Sequence, residues 1–312
     1  MNIYEIKKGA YSAKINLSRG ANCISLRNSK YDARILREPD YSDSLDNPYI
    51  YGMPILFPAN RISGGKFMFE GREYAFPIND PNTGCHVHGT IHEQEFQVVS
   101  GGKDYVICSY RATREEAFFG GQNGFEITIS YYLTDDGLVQ KTKIKNLSLQ
   151  NMPIMIGFHT TFQIPFMENQ NPEDLRVLAD VSDFIERDMD TYLPTGNICQ
   201  PDDLTWMFKQ GEFPPFSQQI SRHYKAQGEK RMEICDIAKG ICVQYENSAD
   251  YEFRLLYNGQ ADEYICLEPQ NCLVNCMNED FDKDYAGFQV LKPDEEITFV
   301  SGIGIKVERS EC

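Results

Sequence analysis

Basic charge is in short supply in this chain. Thirty Lys and Arg stand against 46 Asp and Glu over 312 residues, a net charge of −16. A nucleic acid wants a basic face, so no nucleic-acid partner is expected. Net charge governs solubility and steering rather than one pocket, so a local arginine can still hold an anion. Long apolar runs are missing too: nothing approaches the ~20 residues of a membrane span. The start, MNIYEIKKGAYSAKINL, lacks the apolar stretch of a signal peptide. The 10 cysteines are scattered without a CxxC. That spacing predicts reduced thiols rather than a disulfide framework, and with the other absences a cytoplasmic location. GxSxG, GxxxxGK and GxGxxG are also absent. Serine-nucleophile, P-loop and dinucleotide-fold readings therefore have no support.

What is present is core material: 41% hydrophobic residues, with 18 Tyr and 19 Phe. Disorder needs the opposite composition. Period-2 alternation dominates. Phe125, Ile127, Ile129 and Tyr131 share one face, and Lys141, Lys143 and Lys145 oppose Thr142 and Ile144. Residues 66–76 read as a hairpin about Glu70-Gly71, and 231–246 as another about Ala238-Lys239-Gly240. Short apolar runs at 253–257 and 264–267 suit buried strands, and 297–307 closes the pattern after Pro293-Asp294. Helical signal is scarce, limited to 172–178 and 202–209. Residues 160–220, rich in Pro and Asp, read as long loops. The expected fold is all-β, a large antiparallel sandwich spanning 1–312 as one domain.

Polar equipment concentrates in 52–89, where Asn60-Arg61 stands near the start and Cys85-His86-Val87-His88 near the end. His86, His88 and His92 are three of only five histidines. On a strand, His-x-His puts both imidazoles on one face, and with Glu93 this approximates a cupin metal set. The cupin second half is missing, because no histidine follows Pro194-x-Gly196. The metal reading is accordingly set aside, leaving His86 and His92 as bystanders. His159, closing an apolar run, suits a proton donor tuned by partial burial, or a core histidine satisfied by a carbonyl. Glu268, before Pro269, suits a general base if buried, or an exposed strand end if not.

Taken together these pieces resemble the aldose 1-epimerase (galactose mutarotase) family. They are Pro54-Ile55-Leu56-Phe57-Pro58 leading to Asn60-Arg61-Ile62, then Gly65-x-Phe67, Gly71, Tyr74, Pro77 and Asn79. Val87-His88-Gly89, Phe158-His159 with Phe162, and Leu193-Pro194-Thr195-Gly196 follow. Leu267-Glu268-Pro269-Gln270 through Asn278, and Leu291-Lys292-Pro293, complete the order. The resemblance implies a β-sandwich that interconverts the α and β anomers of a free aldose such as galactose or glucose, without metal or organic cofactor. It implies Glu268 as general base and His159 as general acid. His88, Arg61 and Asn60 are implied to bind the sugar. The chemistry calls for an acid and a base on opposite sides of the hemiacetal.

The chain departs from the family pattern in three places. Thr90 follows His88-Gly89 where a second glycine is usual. Phe158 and Thr160 replace the usual neighbours of the second histidine. Ser221-Arg222-His223 stands where many members carry an Asp-His pair. Arg222 there raises the alternative of a hexose 6-phosphate substrate. A sugar-binding member without turnover is the other alternative, and a glycoside hydrolase ranks last for want of a second acid. No protein partner is implied beyond a monomer or homodimer.

Overall fold

The strand Phe125–Leu133 shows how the chain builds its core: Phe125, Ile127, Ile129 and Tyr131 are all fully buried, and the residues between them are not. A computed structural model describes residues 2–40, 47–113, 120–259 and 263–307. In it, Phe125–Leu133 belongs to an eight-stranded antiparallel sheet. The sheet runs in the order Gln97–Gly101, Tyr105–Ala112, Phe125–Leu133, Leu138–Asn146, Glu296–Val307, Ile241–Asn247, Arg231–Asp236, Leu175–Ala179. Lys141, Lys143 and Lys145 alternate with buried Thr142 and Ile144, as the pattern predicts.

A second sheet, also eight-stranded, lies against the first. Its order is Pro194–Cys199, Val181–Arg187, Ser221–Ala226, Phe253–Tyr257, Tyr264–Gln270, Gly157–Phe158, Ile55–Leu56, with Thr161–Gln163 also paired to Tyr264–Gln270. The layers meet through aromatic contacts. Phe57 packs 5.2 Å from Phe125 and Phe162 packs 5.5 Å from Tyr245 between ring centroids. This is the antiparallel sandwich that the alternation predicts. A four-stranded sheet from Ile3–Lys8 to Ala33–Arg34 flanks it. Both predicted hairpins form, and the first turns on Glu70 and Gly71, whose φ angles are +48° and +74°.

Three expectations need correction. Of 172–178, only Pro172–Asp174 makes a helical turn. Leu175–Ala179 is an edge strand whose buried Leu175, Val177 and Ala179 alternate with period 2, a rhythm the Pro-first helix signal obscured. The second helical segment does form, as Asp203–Gln210 with Asp202 as its cap. Residues 160–220 are not mainly loops, since Val181–Arg187 and Pro194–Cys199 join the second sheet there. Lastly, the thiols are not all reduced. Cys235 and Cys242 lie opposite each other across the second hairpin and form a disulfide, while the other described cysteines are free and Cys312 lies outside the described residues. A separation of seven residues gave no hint of that pairing in a CxxC search. No helix among the described residues is long and apolar enough to cross a membrane.

Candidate active site

The second sheet turns one face toward a cavity of about 260 Å³. Tyr264–Gln270 supplies its deepest group. All seven residues of that strand are buried, because strands flank it on both sides and the sandwich covers its other face. Glu268 points into the cavity and is fully buried. His159, just past Gly157–Phe158, brings its Nε2 to 3.3 Å from Glu268 Oε1. Its own backbone N–H donates to the Pro54 carbonyl at 3.0 Å, which fixes the strand end. The flanking residues that depart from the family pattern face the other way. Phe158 is in the core, and Thr160 Oγ1 lies 2.9 Å from the Tyr245 hydroxyl.

Neither catalytic candidate has its polar atoms fully matched. Glu268 Oε1 and His159 Nδ1 are buried without a hydrogen-bond partner. Gln270 Nε2 donates to Glu268 Oε2 at 3.4 Å, and Asn60 Nδ2 donates to Gln270 Oε1 at 3.5 Å. These are long bonds that orient the carboxyl group more than they stabilise it. Burial pushes Glu268 up to about 8, against the opposing pull of the Arg187 and Arg61 charges and the Gln270 hydrogen bond. Burial likewise pushes His159 down to about 4.

The 52–89 segment forms a wall of this cavity. Asn60 and His88 both adopt left-handed backbone, with φ of +58° and +66°, and the His88 N–H donates to the Asn60 carbonyl at 2.9 Å. Gly89 must be glycine: a Cβ there would stand 2.0 Å from the Phe57 carbonyl oxygen, at a φ of +64°. Thr90 needs no such freedom, since its φ is −127°. The turn at His88 breaks the alternation that the His-x-His reading assumes. His86 stays in the strand Cys85–Val87, stacked on Phe76 and donating from Nδ1 to the Pro77 carbonyl at 2.7 Å. His88 instead enters the cavity, 5.5 Å from the His159 ring. His86, His88 and Glu93 therefore do not converge on a metal position. The one converging group among the described residues is Glu233 with Cys235 and Cys242, elsewhere in the fold. His92 packs behind the wall, its ring 4.8 Å from Tyr49. Burial first, then neighbouring positive charge, holds His88 well below the usual imidazole range.

Arg61 also lines the cavity, pairing with Asp80 at 3.1 Å and lying 4.7 Å over the Tyr192 ring. Several lining residues were not among the sequence candidates. Tyr49 sits on the short turn Pro48–Ile50 and packs against His88 and His92. Tyr192 caps the turn held by the Asp188 carboxylate, with φ of +58°. Arg187, at the end of Val181–Arg187, is 7% exposed and donates through Nη2 to the Ser221 carbonyl at 2.6 Å and hydroxyl at 2.8 Å. Val181–Arg187 carries register shifts against both neighbours, so no clean period marks it in the sequence.

Strand phase decides the fate of Ser221-Arg222-His223. Ser221 faces the cavity, whereas Arg222 points to the opposite face, bound to the Asp202 carboxylate and lying 3.6 Å over the Phe184 ring. The anion-binding role suggested for Arg222 is thereby overturned. His223 is fully buried, stacked 5.3 Å from Phe253, and does not line the cavity.

Comparison with known proteins agrees with this architecture. Residues 2–304 match the sequence model of the family described as aldose 1-epimerase. A galactose mutarotase-like protein from Clostridium acetobutylicum superposes with a TM-score of 0.91, at 29% identity over 99% of each chain. A putative aldose 1-epimerase from Escherichia coli K12 superposes with a TM-score of 0.80, at 20% identity over 98% of this chain and 99% of that one. An uncharacterized protein of the same species, YphB, is 25% identical over 227 residues, covering 70% of this chain and 72% of its own length. With its match running through nearly every strand of the sandwich, the chain belongs to the aldose 1-epimerase family.

Proposed function

We propose that this protein is an aldose 1-epimerase that opens and recloses the ring of a free aldose, with Glu268 and His159 as its proton-transfer pair. The observation that carries the reading is the 3.3 Å contact between Glu268 Oε1 and His159 Nε2 inside a sugar-sized cavity. A buried carboxyl beside an unpartnered imidazole is costly for folding and useful for proton transfer. His88, Arg61 and Asn60, with Tyr49 and Tyr192, hold the sugar in place.

The chemistry follows from the hemiacetal. A base removes the O1 proton, and the O–H electron pair becomes the C1=O1 bond. The C1–O5 pair moves to O5, which takes a proton from the acid. Rotation about C1–C2 and the reverse steps give the other anomer. O1 and O5 share one carbon, so groups in mutual contact reach both. The acid and base stand side by side rather than on opposite sides of the ring.

The proton count of the pair matters more than its distribution. Ionised Glu268 with protonated His159 holds the same number of protons as protonated Glu268 with neutral His159. Burial favours the uncharged tautomer, while Arg187 and Arg61 favour the carboxylate. The two tautomers differ by one proton passed between side chains whose Nε2 and Oε1 stand 3.3 Å apart. In the ionised tautomer Glu268 is the base and His159 the acid. The pair keeps this working count between about pH 4 and about pH 8.

Polarimetry of freshly dissolved α-D-glucose and α-D-galactose, with wild type and Glu268→Gln, tests the proposal. Wild type should accelerate mutarotation and the variant should not. Equal rates for the two proteins would remove Glu268 from its role. A wild type that binds these and other aldoses but accelerates none would leave a sugar-binding protein without turnover.

A further inference from the structure

The outer face of the first sheet carries the one converging group of metal-ligating side chains among the described residues. In Arg231–Asp236, Met232 and Ile234 turn inward to the core, so Glu233 and Cys235 share the opposite face. Cys242 stands directly across from Cys235 on Ile241–Asn247, and Gln244 directly across from Glu233. Residues opposed in register point to the same side, so both sulfurs and the carboxylate meet there. One carboxylate oxygen and the two Sγ atoms lie within 4.8 Å of one another. Glu233 Oε2 is 3.9 Å from Cys235 Sγ, while Oε1 accepts from Gln244 Nε2 at 2.8 Å. The Gln244 bond holds the carboxylate with its other oxygen toward the sulfur, as the outer-shell partner of a metal ligand does.

Charge and size agree. Two thiolates and a carboxylate carry three negative charges, of which a divalent cation leaves one. Arg231 Nε lies 3.5 Å from Glu233 Oε1, and the register places Arg176 opposite Cys235 and Lys306 opposite Cys242 on the neighbouring strands. Cations on this face offset the remaining charge and favour the thiolate, the form that binds metal. A tetrahedral zinc, with Zn–S of ~2.3 Å and Zn–O of ~2.0 Å, holds sulfur and oxygen about 3.5 Å apart and two sulfurs about 3.8 Å apart. The Glu233–Cys235 contact is already near that spacing, whereas the two sulfurs are bonded and must part. A dithiol reductant parts them. It gives two electrons and two protons to the S–S bond, becoming a disulfide itself and leaving two thiols. The metal then displaces both thiol protons.

We propose that the reduced Cys235–Cys242 pair and Glu233 form a zinc site with water as fourth ligand, and that the disulfide is the closed form of the same site. The thiolates select zinc over magnesium or calcium. The hairpin is cross-linked in both states, by a covalent bond when oxidised and by the metal when reduced. None of the three residues lines the sugar cavity, so the inference does not rest on the proposed function.

Cobalt(II) titration of the full chain tests it, without oxygen, after treatment with a dithiol and its removal. A thiolate ligand gives cobalt a charge-transfer band in the near ultraviolet, and tetrahedral geometry gives it intense visible bands. Reduced wild type should bind one cobalt per chain with both signatures, and zinc should displace it. Wild type with the disulfide restored should bind at least ~10-fold more weakly, as should Glu233→Gln in the reduced form. Cys235→Ser combined with Cys242→Ser should lose the charge-transfer band. Reduced wild type without that band, or oxidised wild type binding equally well, overturns the inference with no variant needed. A band intact in the double variant also overturns it, because it places the metal on other thiols such as Cys272 and Cys276. Unchanged affinity in Glu233→Gln removes the carboxylate, and with it the site as assigned.

Discussion

The two large sheets of the sandwich obey different rules. In the sheet containing Phe125–Leu133, the central strands alternate with period 2, and the polar side chains they bury, such as Gln140 and Thr142, are uncharged. In the sheet containing Tyr264–Gln270, the same architecture buries Glu268, Gln270 and Arg187, bulges Val181–Arg187 on both sides, and leaves Glu268 Oε1 unsatisfied. Charged groups are buried in the sheet to which the proposed function assigns binding and proton transfer, which is where departures from local rules are expected.

The largest expected effect tests the second sheet. Glu268→Gln keeps the shape of the side chain and removes the titratable group, so kcat should fall ~10²–10⁴-fold. Polarimetry or exchange NMR checks this; a loss below tenfold would make Glu268 a bystander. The matching substitution in the first sheet is Ile129→Ala, at a fully buried position outside the cavity lining. It should cost about 2–5 kcal/mol in a urea melt, with kcat per folded molecule unchanged. A comparable loss of kcat would mean that the sheets do not divide the work in this way.

A smaller effect links the two properties. Native Glu268 keeps its proton up to about pH 8, whereas an ordinary glutamate releases it near 4.5. The folded state then binds the extra proton across that window, so this contribution to stability falls as pH rises through it. His159 acts in the opposite sense between about pH 4 and 6.5, where the unfolded chain binds the extra proton. The two roughly offset below 6.5, leaving a net fall between 6.5 and 8. Wild type should lose on the order of 2 kcal/mol relative to Glu268→Gln over that interval. Parallel melts at the two pH values measure it, and a constant difference would contradict the shifted proton. Smallest is Arg222→Ala, which removes a partly exposed ion pair with Asp202 and should cost about 1 kcal/mol. Sugar turnover should not change; a change would put Arg222 back at the site.

The same contrast explains what could be read in advance. Where alternation was clean, as at Phe125–Leu133 and in the hairpin about Glu70-Gly71, the strands stood out. Glu268, His159, His88, Arg61 and Asn60 were legible because their motifs follow one another in a recognisable order, and they line one cavity. Arg187 and Tyr192 were not. They lie at the end of a bulged strand and on the turn after it, where period-2 patterning gives no phase. Phase was also the error at Arg222: its presence in a motif was visible, but which way it pointed depended on a register that only pairing sets.

The central claim is that one shared proton in the Glu268–His159 pair does the work. The pH dependence of kcat/KM for anomer exchange by wild type, with the uncatalysed rate subtracted, tests it most directly. The account predicts a plateau bounded by limbs near pH 4 and pH 8. Below the plateau both groups are protonated and no base remains; above it both are deprotonated and no acid remains. A single limb near the ordinary imidazole value, or a profile flat from pH 4 to pH 9, would contradict it.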